Sequence, residues 1–107
     1  MNTEIGKIEK CWIGHGGYQD AQFGACFILS TTGGSVADFY GCWQSRSEGA
    51  SWTEEDWNTT KARTMTKIME TMREAKVKDF ADLKNKPIEA TFEGGRLMSW
   101  RILTEVL

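Results

Sequence analysis

The first part of the chain alternates between apolar and polar residues with the two-residue period of a β-strand. Residues 5–13 follow this alternation imperfectly and predict a strand that has Ile8 and Trp12 on one face. Cys11 and Ile13 then share the opposite face. The alternation predicts a strand of which one face contributes to the core.

A β-hairpin is predicted over residues 25–43. Residues 25–30 form a short apolar run, which is typical of a strand that is covered on both faces. Residues 31–34 have the composition of a turn, and residues 35–43 form the returning strand. Asp38 is unusual there because aspartate is disfavoured in strands. It either lies at an edge in water or accepts a hydrogen bond from a ligand or a neighbouring loop.

A single long helix is predicted to end near Lys76. Two capping-box frames are open at its start, Ser51 with Glu54 and Thr53 with Asp56. Apolar residues then recur with the helical period and predict a core-facing stripe of Ala62, Met65, Ile68, Met69, Met72 and Ala75. The charged residues of the opposite face are expected to be solvated: Lys61, Arg63, Lys67, Glu70, Arg73 and Glu74.

A second hairpin is predicted over residues 88–107, around the glycine pair Gly94–Gly95. A two-residue loop would place Phe92 opposite Leu97. A three-residue loop pairs Phe92 with Met98 instead and separates apolar from polar side chains on the two faces. The three-residue loop is therefore the predicted register.

These elements follow the order β-β-β-α-β-β, which predicts one α+β domain over residues 1–107 with an antiparallel sheet packed on the helix. An OB-like barrel and a partly open barrel are both compatible with this order, although the order of elements does not determine function. Trp100 is expected to be buried against the helical stripe Met65–Met72.

Composition restricts the class of protein. The 107 residues are 40% hydrophobic and 26% charged, as in a soluble globular domain. The net charge of -2 argues against duplex DNA as a partner. No apolar run approaches the ~20 residues of a membrane span, and no signal peptide is evident. We therefore expect a protein of the host cytosol without a membrane partner, and leave open whether it forms a homo-oligomer.

The three cysteines are odd in number and lack the C-x-x-C spacing of a zinc site. They indicate reduced, buried thiols, and neither a metal nor a cofactor is expected. His15, the only histidine, is expected to be a polar loop residue rather than part of a catalytic group.

The segment Gly14–Gly24 is the most unusual part of the chain. It contains four glycines, which cost backbone entropy and bury no side chain, together with two aromatic residues and several polar ones. This composition is typical of a recognition loop. The candidate binding residues that it supplies are Tyr18, Gln19, Asp20 and Phe23, and we expect them to lie beside the strand that carries Asp38 and Trp43.

Five tryptophans are more than a core of this size needs. Phe39 and Trp43 share one face of their predicted strand, so one of them is expected in the core. Trp52 and Trp57 flank the predicted start of the helix. They form either a hydrophobic staple or a contact surface.

Several blocks of the chain resemble a group of short phage and prophage proteins. These blocks are GGYQDAQFG (16–24), DFYGCW (38–43), TFEGG (91–95) and SWRILTEVL (99–107). The segment 82–93 also resembles an L-x-G-K-P lead into a strand, in which Asn85 stands in place of glycine. The group has no settled enzymatic activity, so no catalytic residues are carried over.

The resemblance implies a phage origin, and small phage proteins without catalytic motifs often bind host components. The expected function is a non-catalytic binding protein that inhibits a bacterial defence system. Its partner is either a host defence protein or a small nucleotide signal that it sequesters. The alternative is an OB-like module of phage replication or recombination that binds single-stranded nucleic acid through stacking.

Overall fold

The computed structural model describes residues 1–47 and 49–107 and shows an α+β fold in the predicted order of elements. The strands are β1 (Asn2–Gly16), β2 (Gln22–Thr31), β3 (Gly34–Trp43), β4 (Pro87–Glu93) and β5 (Arg96–Ile102), and the helix α1 spans Glu54–Ala75. Three short 3-10 turns span Tyr18–Asp20, Phe80–Leu83 and Thr104–Val106. Among the described residues, no helix has the length and apolar character that crossing a membrane requires.

The five strands form one antiparallel sheet in the order β3-β2-β1-β4-β5. The long strand β1 lies at its centre and pairs with β2 along one part and with β4 along another. The sheet curls into a half-barrel whose open edges are β3 and β5, and α1 packs against β3, β2 and β5. The partly open barrel is therefore confirmed.

A β-bulge interrupts β1. Its pairing with β2 shifts by one residue between Ile8 and Lys10, which makes Glu9 the extra residue. Such a shift exchanges the two faces of a strand. Cys11 therefore shares the core-facing side with the fully buried Ile8, and Trp12 lies on the outer face. The prediction that Ile8 and Trp12 share a face was wrong, because local alternation does not reveal a bulge.

The buried face of α1 is rotated from the predicted stripe. Ile68 and Ala75 are buried as expected, but Met65 and Met69 are 57% and 49% exposed. Thr71, which was not part of the stripe, is 4% exposed. Its hydroxyl donates to the backbone carbonyl four residues earlier at 2.7 Å, so burial leaves the hydroxyl with a partner.

Trp100 is buried in one core cluster with Ile68, as predicted, and Lys67 of the helix also lies over its ring. The Lys67 ammonium lies 5.4 Å from the centroid of Trp100 and 4.8 Å from that of Tyr40. The expectation that Lys67 is simply solvated was therefore wrong. Asp38 accepts a hydrogen bond from Trp100 Nε1 at 2.6 Å, which gives this strand carboxylate a partner within the fold.

The hairpin of β4 and β5 contains both of the registers considered above. Residues 88–91 pair as the three-residue loop predicts, whereas Phe92 lies opposite Leu97 as the two-residue loop requires. A bulge at Met98 joins the two registers. The turn itself is Gly94–Gly95, and both glycines have positive φ, as in a type I′ turn.

Candidate functional site

Three tryptophans from different segments meet at one end of the half-barrel. Trp43 ends β3, Trp52 lies in the segment before α1, and Trp57 completes the first turn of α1. Together with Asp56 and Thr60 they line a hollow of about 300 Å³, which we call the tryptophan cleft. Trp43, Trp52 and Trp57 were all candidates from the sequence, and the fold brings them together.

Hydrogen bonds and ring contacts hold the cleft together. The indole Nε1 of Trp57 donates to the backbone carbonyl of Trp43 at 2.7 Å, which ties the helix to the end of β3. The rings of Trp52 and Trp57 meet edge to face, with centroids 6.2 Å apart and an interplanar angle of 76°. Trp52 and Trp57 are each half-buried, so they combine a structural contact with an accessible surface.

A capping box sets the direction in which α1 leaves the cleft. The hydroxyl of Thr53 accepts from the backbone N–H of Asp56 at 3.0 Å, and Asp56 Oδ2 accepts from the backbone N–H of Thr53 at 3.1 Å. Of the two frames that the sequence left open, the structure uses this second one. The cap fixes the carboxylate of Asp56 at the wall of the cleft.

Two cations lie against the indole rings of the cleft. The guanidinium of Arg46 is 5.6 Å from the centroid of Trp52, and its Nε donates to the backbone carbonyl of Trp52 at 2.8 Å. The ammonium of Lys61 is 3.9 Å from the centroid of Trp57. Both distances are within the range of cation–π attraction. Lys61 is exposed, as the expectation of a solvated helix face requires, and it lies over the Trp57 ring in addition.

Sequence reasoning missed these two cations. Lys61 could have been found, because it follows Trp57 by four residues on a helix and residues at that spacing are neighbours. Arg46 carried no comparable signal, since it lies in an irregular polar segment whose path depends on the tertiary fold.

The predicted recognition loop Gly14–Gly24 is mostly strand. β1 continues to Gly16 and β2 begins at Gln22, so only residues 17–21 form the connection. This connection lies beside the end of β3, as expected, because the backbone N–H of Gln44 donates to the carbonyl of Ala21 at 3.2 Å.

The connection itself contains the candidates Tyr18, Gln19 and Asp20. Tyr18 is 80% exposed, and both Gln19 and Asp20 adopt the left-handed region, with φ of 54° and 55°. Left-handed backbone is unfavourable for residues with a Cβ atom and often accompanies functional sites. The side-chain amide of Gln44 also donates to the Asp20 carbonyl at 3.5 Å. None of the three candidates lines the tryptophan cleft.

Two further candidates lie away from the cleft. Phe23 is 43% exposed and meets the ring of His15 edge-on at 5.4 Å. Asp38 is occupied by its hydrogen bond with Trp100. Phe39 is half-buried but does not belong to the core, so the prediction that either Phe39 or Trp43 is a core residue was wrong.

A second hollow of about 430 Å³ lies at the opposite end of β1, between the turns of the two hairpins. Glu4 and Glu93 both line it, and alternation alone did not distinguish Glu4 from any other exposed strand residue. Hydrogen bonds from Thr31, from the backbone N–H of Gly33 and from Asn2 lower the pKa of Glu4. This carboxylate holds the hairpin turn in place. The hollow is the weaker candidate because it contains one aromatic residue, Phe92, whereas the tryptophan cleft contains three.

Comparisons with protein-family models, with curated protein sequences and with solved structures found no match. Within residues 1–47 and 49–107, no group of three or more histidine, cysteine, aspartate or glutamate side chains is placed to hold a metal ion. The candidate site is therefore described by its own geometry: accessible indole surface, two cations and one carboxylate.

Proposed function

We propose that this chain is a non-catalytic, phage-encoded binding protein that inhibits a bacterial defence system. It does so by gripping a protein effector or by sequestering a nucleotide signal. The observation that carries the proposal is the tryptophan cleft, in which three indoles from separate segments converge and stay accessible. Tryptophan and arginine are the residues that most often dominate binding energy at interfaces.

The groups of the cleft are suited to binding rather than to bond-making chemistry. The indoles offer stacking surface, and Arg46 and Lys61 offer positive charge. One oxygen of the Asp56 carboxylate accepts from the helix cap, which holds the side chain in a fixed orientation beside the indoles. The resemblance to short phage proteins supplies the biological setting, in which a small protein acts on a component of the infected cell.

A plating assay tests the proposal. Bacterial strains that each carry one defence system are challenged with phage that the system restricts, with and without expression of the chain. Plating is expected to recover in at least one strain. Trp52→Ala should abolish the recovery, whereas Trp12→Ala, which removes an exposed tryptophan of the outer face, should not. Recovery that is equally strong with Trp52→Ala would contradict the cleft as the site.

A second candidate function is the binding of single-stranded nucleic acid by an OB-like module. One observation favours it: Trp12 is 39% exposed on the outer face of β1, with the Lys10 ammonium 5.4 Å from its centroid. Aromatic rings beside cations are the usual stacking platform for single strands. The net charge of -2 weighs against this function, because strand binding usually depends on an excess of positive charge.

A fluorescence titration decides on the second function. An oligothymidylate is added to the protein at low salt, and tryptophan quenching is followed. Quenching at micromolar strand that is lost in Trp12→Ala and retained in Trp52→Ala would favour nucleic-acid binding on the outer face. Unchanged fluorescence up to that concentration removes the candidate.

A further inference from the structure

We propose that the ligand of the tryptophan cleft is a guanine nucleotide, with its base stacked on indole, its base edge at Asp56 and its phosphates at Arg46 and Lys61. This inference rests on the proposed function in so far as both place the binding event in the tryptophan cleft. It goes further in naming the chemical class of the ligand and the role of each residue.

The size and surface of the cleft favour a single ring system. Its volume of about 300 Å³ lies at the small end of the range for small-molecule sites. Trp43 is 42% exposed, so a flat ligand has an accessible indole to lie on. Stacking of a base on an aromatic side chain contributes in a sequence-tolerant way, because every base has a π-face. Stacking alone therefore explains affinity for a nucleobase but not which base.

The two cations provide the contacts for phosphate. Arg46 donates from Nε to the backbone carbonyl of Trp52, and this hydrogen bond holds its guanidinium beside the Trp52 ring, next to the five residues that line the cleft. A guanidinium carries five N–H donors and an ammonium carries three, and both bind phosphate oxygens with charge-assisted hydrogen bonds. Arg46 and Lys61 lie over Trp52 and Trp57 and do not line the hollow itself, so a base stacked on Trp43 would place its phosphates at the rim, where these two cations lie.

The carboxylate of Asp56 supplies the choice of base. Asp56 Oδ2 accepts from the helix cap, and within the described residues no hydrogen bond reaches Oδ1. An ionised carboxylate only accepts hydrogen bonds. Guanine presents two adjacent donors on its Watson–Crick edge, N1–H and the N2 amino group, whereas adenine presents one donor beside the N1 lone pair. Each carboxylate oxygen has two lone pairs, so Oδ2 can accept from guanine while it accepts from the cap, and the two oxygens together match the two donors of guanine and oppose the N1 lone pair of adenine.

The positive charges also distinguish this ligand from an organic cation. An aromatic cleft with one carboxylate is suited in principle to a quaternary ammonium group. Here Arg46 and Lys61 already lie over Trp52 and Trp57, so a cationic ligand would meet two like charges. An anionic ligand meets the same groups as attractive partners.

Isothermal titration calorimetry with the whole chain tests the proposal, using GDP, ADP, guanosine, inorganic pyrophosphate and choline as probes. GDP should bind at least about fivefold more tightly than ADP, since one good bidentate base contact discriminates by about that factor or more. Guanosine and pyrophosphate should each bind more weakly than GDP, because each has only part of the contacts. The affinity for GDP should fall as salt is added.

Variants assign the contacts. Arg46→Ala and Lys61→Ala should each weaken GDP binding severalfold and leave guanosine unaffected. Asp56→Asn keeps an oxygen for the helix cap but introduces donors, so it should reduce the preference for GDP over ADP. Lys10→Ala is the matched control, because Lys10 lies over Trp12 outside the cleft, and it should leave GDP binding unchanged. Melting temperatures show that each variant is folded.

Three outcomes would overturn the inference: no heat with GDP at millimolar concentration, equal affinity for GDP and ADP, or tighter binding of choline than of GDP. The proposed function fails separately. In one case GDP does not bind, the parent chain restores plating, and the Trp52→Ala variant fails to restore it. The cleft then binds a protein target, and only the ligand class is wrong. If GDP binds as expected but plating never recovers, the ligand stands and the defence role is overturned.

Discussion

The indole Nε1 of Trp100 donates to Asp38 Oδ2 at 2.6 Å and so joins the two edge strands of the half-barrel. β3 and β5 are not neighbours in the backbone ladder, so this contact connects edges that the sheet leaves apart. Lys67 of the helix lies over the rings of both Trp100 and Tyr40. The open side of the half-barrel is thus closed by side chains from three elements.

Removing the carboxylate from this contact should destabilise the fold. In Asp38→Ala the indole N–H of Trp100 is left buried without its acceptor, which costs about 1–3 kcal/mol. Trp100→Ala should cost more, about 3–5 kcal/mol, because it also removes a large buried ring. Urea unfolding measures both. Trp12→Ala serves as the exposed-tryptophan control, and an Asp38→Ala protein as stable as the parent would contradict the role of the contact.

Stability should fall in alkaline solution because of Tyr40. Burial, and secondarily the nearby carboxylate of Asp38, raises the pKa of Tyr40 to about 12. In the unfolded chain the tyrosine pKa is about 10. Between about pH 10 and 12 the unfolded chain therefore loses the phenol proton while the folded protein retains it. The contribution of Tyr40 is complete below about pH 10 and disappears as the pH rises towards about 12.

Two measurements check the alkaline prediction. In Tyr18→Phe, Tyr40 is the remaining tyrosine, and its phenolate absorbance should appear near pH 12. The unfolding free energy of Tyr40→Phe should depend less on pH between 10 and 12 than that of the parent. A phenolate midpoint near 10 in the folded protein would show that Tyr40 is not held in its protonated form.

Two glycines that pair across neighbouring strands should differ in their tolerance of substitution by alanine. Gly14 and Gly24 lie opposite each other in β1 and β2. A Cβ at Gly24 would lie 1.9 Å from the carbonyl oxygen of Tyr40, whereas a Cβ at Gly14 meets nothing closer than 3.9 Å. Gly24→Ala must displace backbone and should cost about 1–3 kcal/mol or more, and Gly14→Ala should change little. Equal melting temperatures for the two variants would contradict the close approach of β2 and β3.

The start of α1 should depend on Thr53 and not on Ser51. Thr53→Ala removes the acceptor for the backbone N–H of Asp56 and should cost about 1 kcal/mol. Ser51→Ala removes the alternative capping residue, which the structure does not use, and should be neutral. Denaturant midpoints of the two variants provide the comparison. A larger loss in Ser51→Ala would mean that the helix begins in the other frame.

The sequence by itself determined the kind and order of the elements. Strand alternation, glycine-rich turns and capping residues are local signals, and each acts over a few residues. One example is Asn85, which stands where the related pattern has glycine and adopts φ of 72°. Asparagine tolerates this left-handed backbone better than most residues. Such local conformational preferences can be predicted from the sequence without knowledge of the tertiary contacts.

The faces of the elements were decided by tertiary structure. The bulge at Glu9 moved Trp12 to the outer face, and nothing in the local alternation marks it. The buried side of α1 is set by the curled sheet it packs on, so Thr71 is buried while Met65 is exposed. Thr71 tolerates this burial because its hydroxyl donates to a backbone carbonyl within the helix.

For the candidate site, too, the sequence indicated some of the residues and the tertiary structure decided which of them lie together. The surplus of tryptophan made Trp43, Trp52 and Trp57 candidates: Trp52 and Trp57 because they flank the helix start, and Trp43 because it lies in a predicted strand beside the glycine-rich segment. Their convergence required the end of β3 to meet the start of α1, a contact between residues 14 apart that includes the hydrogen bond from Trp57 to Trp43. The positions of Arg46 and Lys61 beside the indoles became evident only from the tertiary structure. Sequence determines which groups are present, whereas packing of the helix on the sheet edge decides which of them share a cleft.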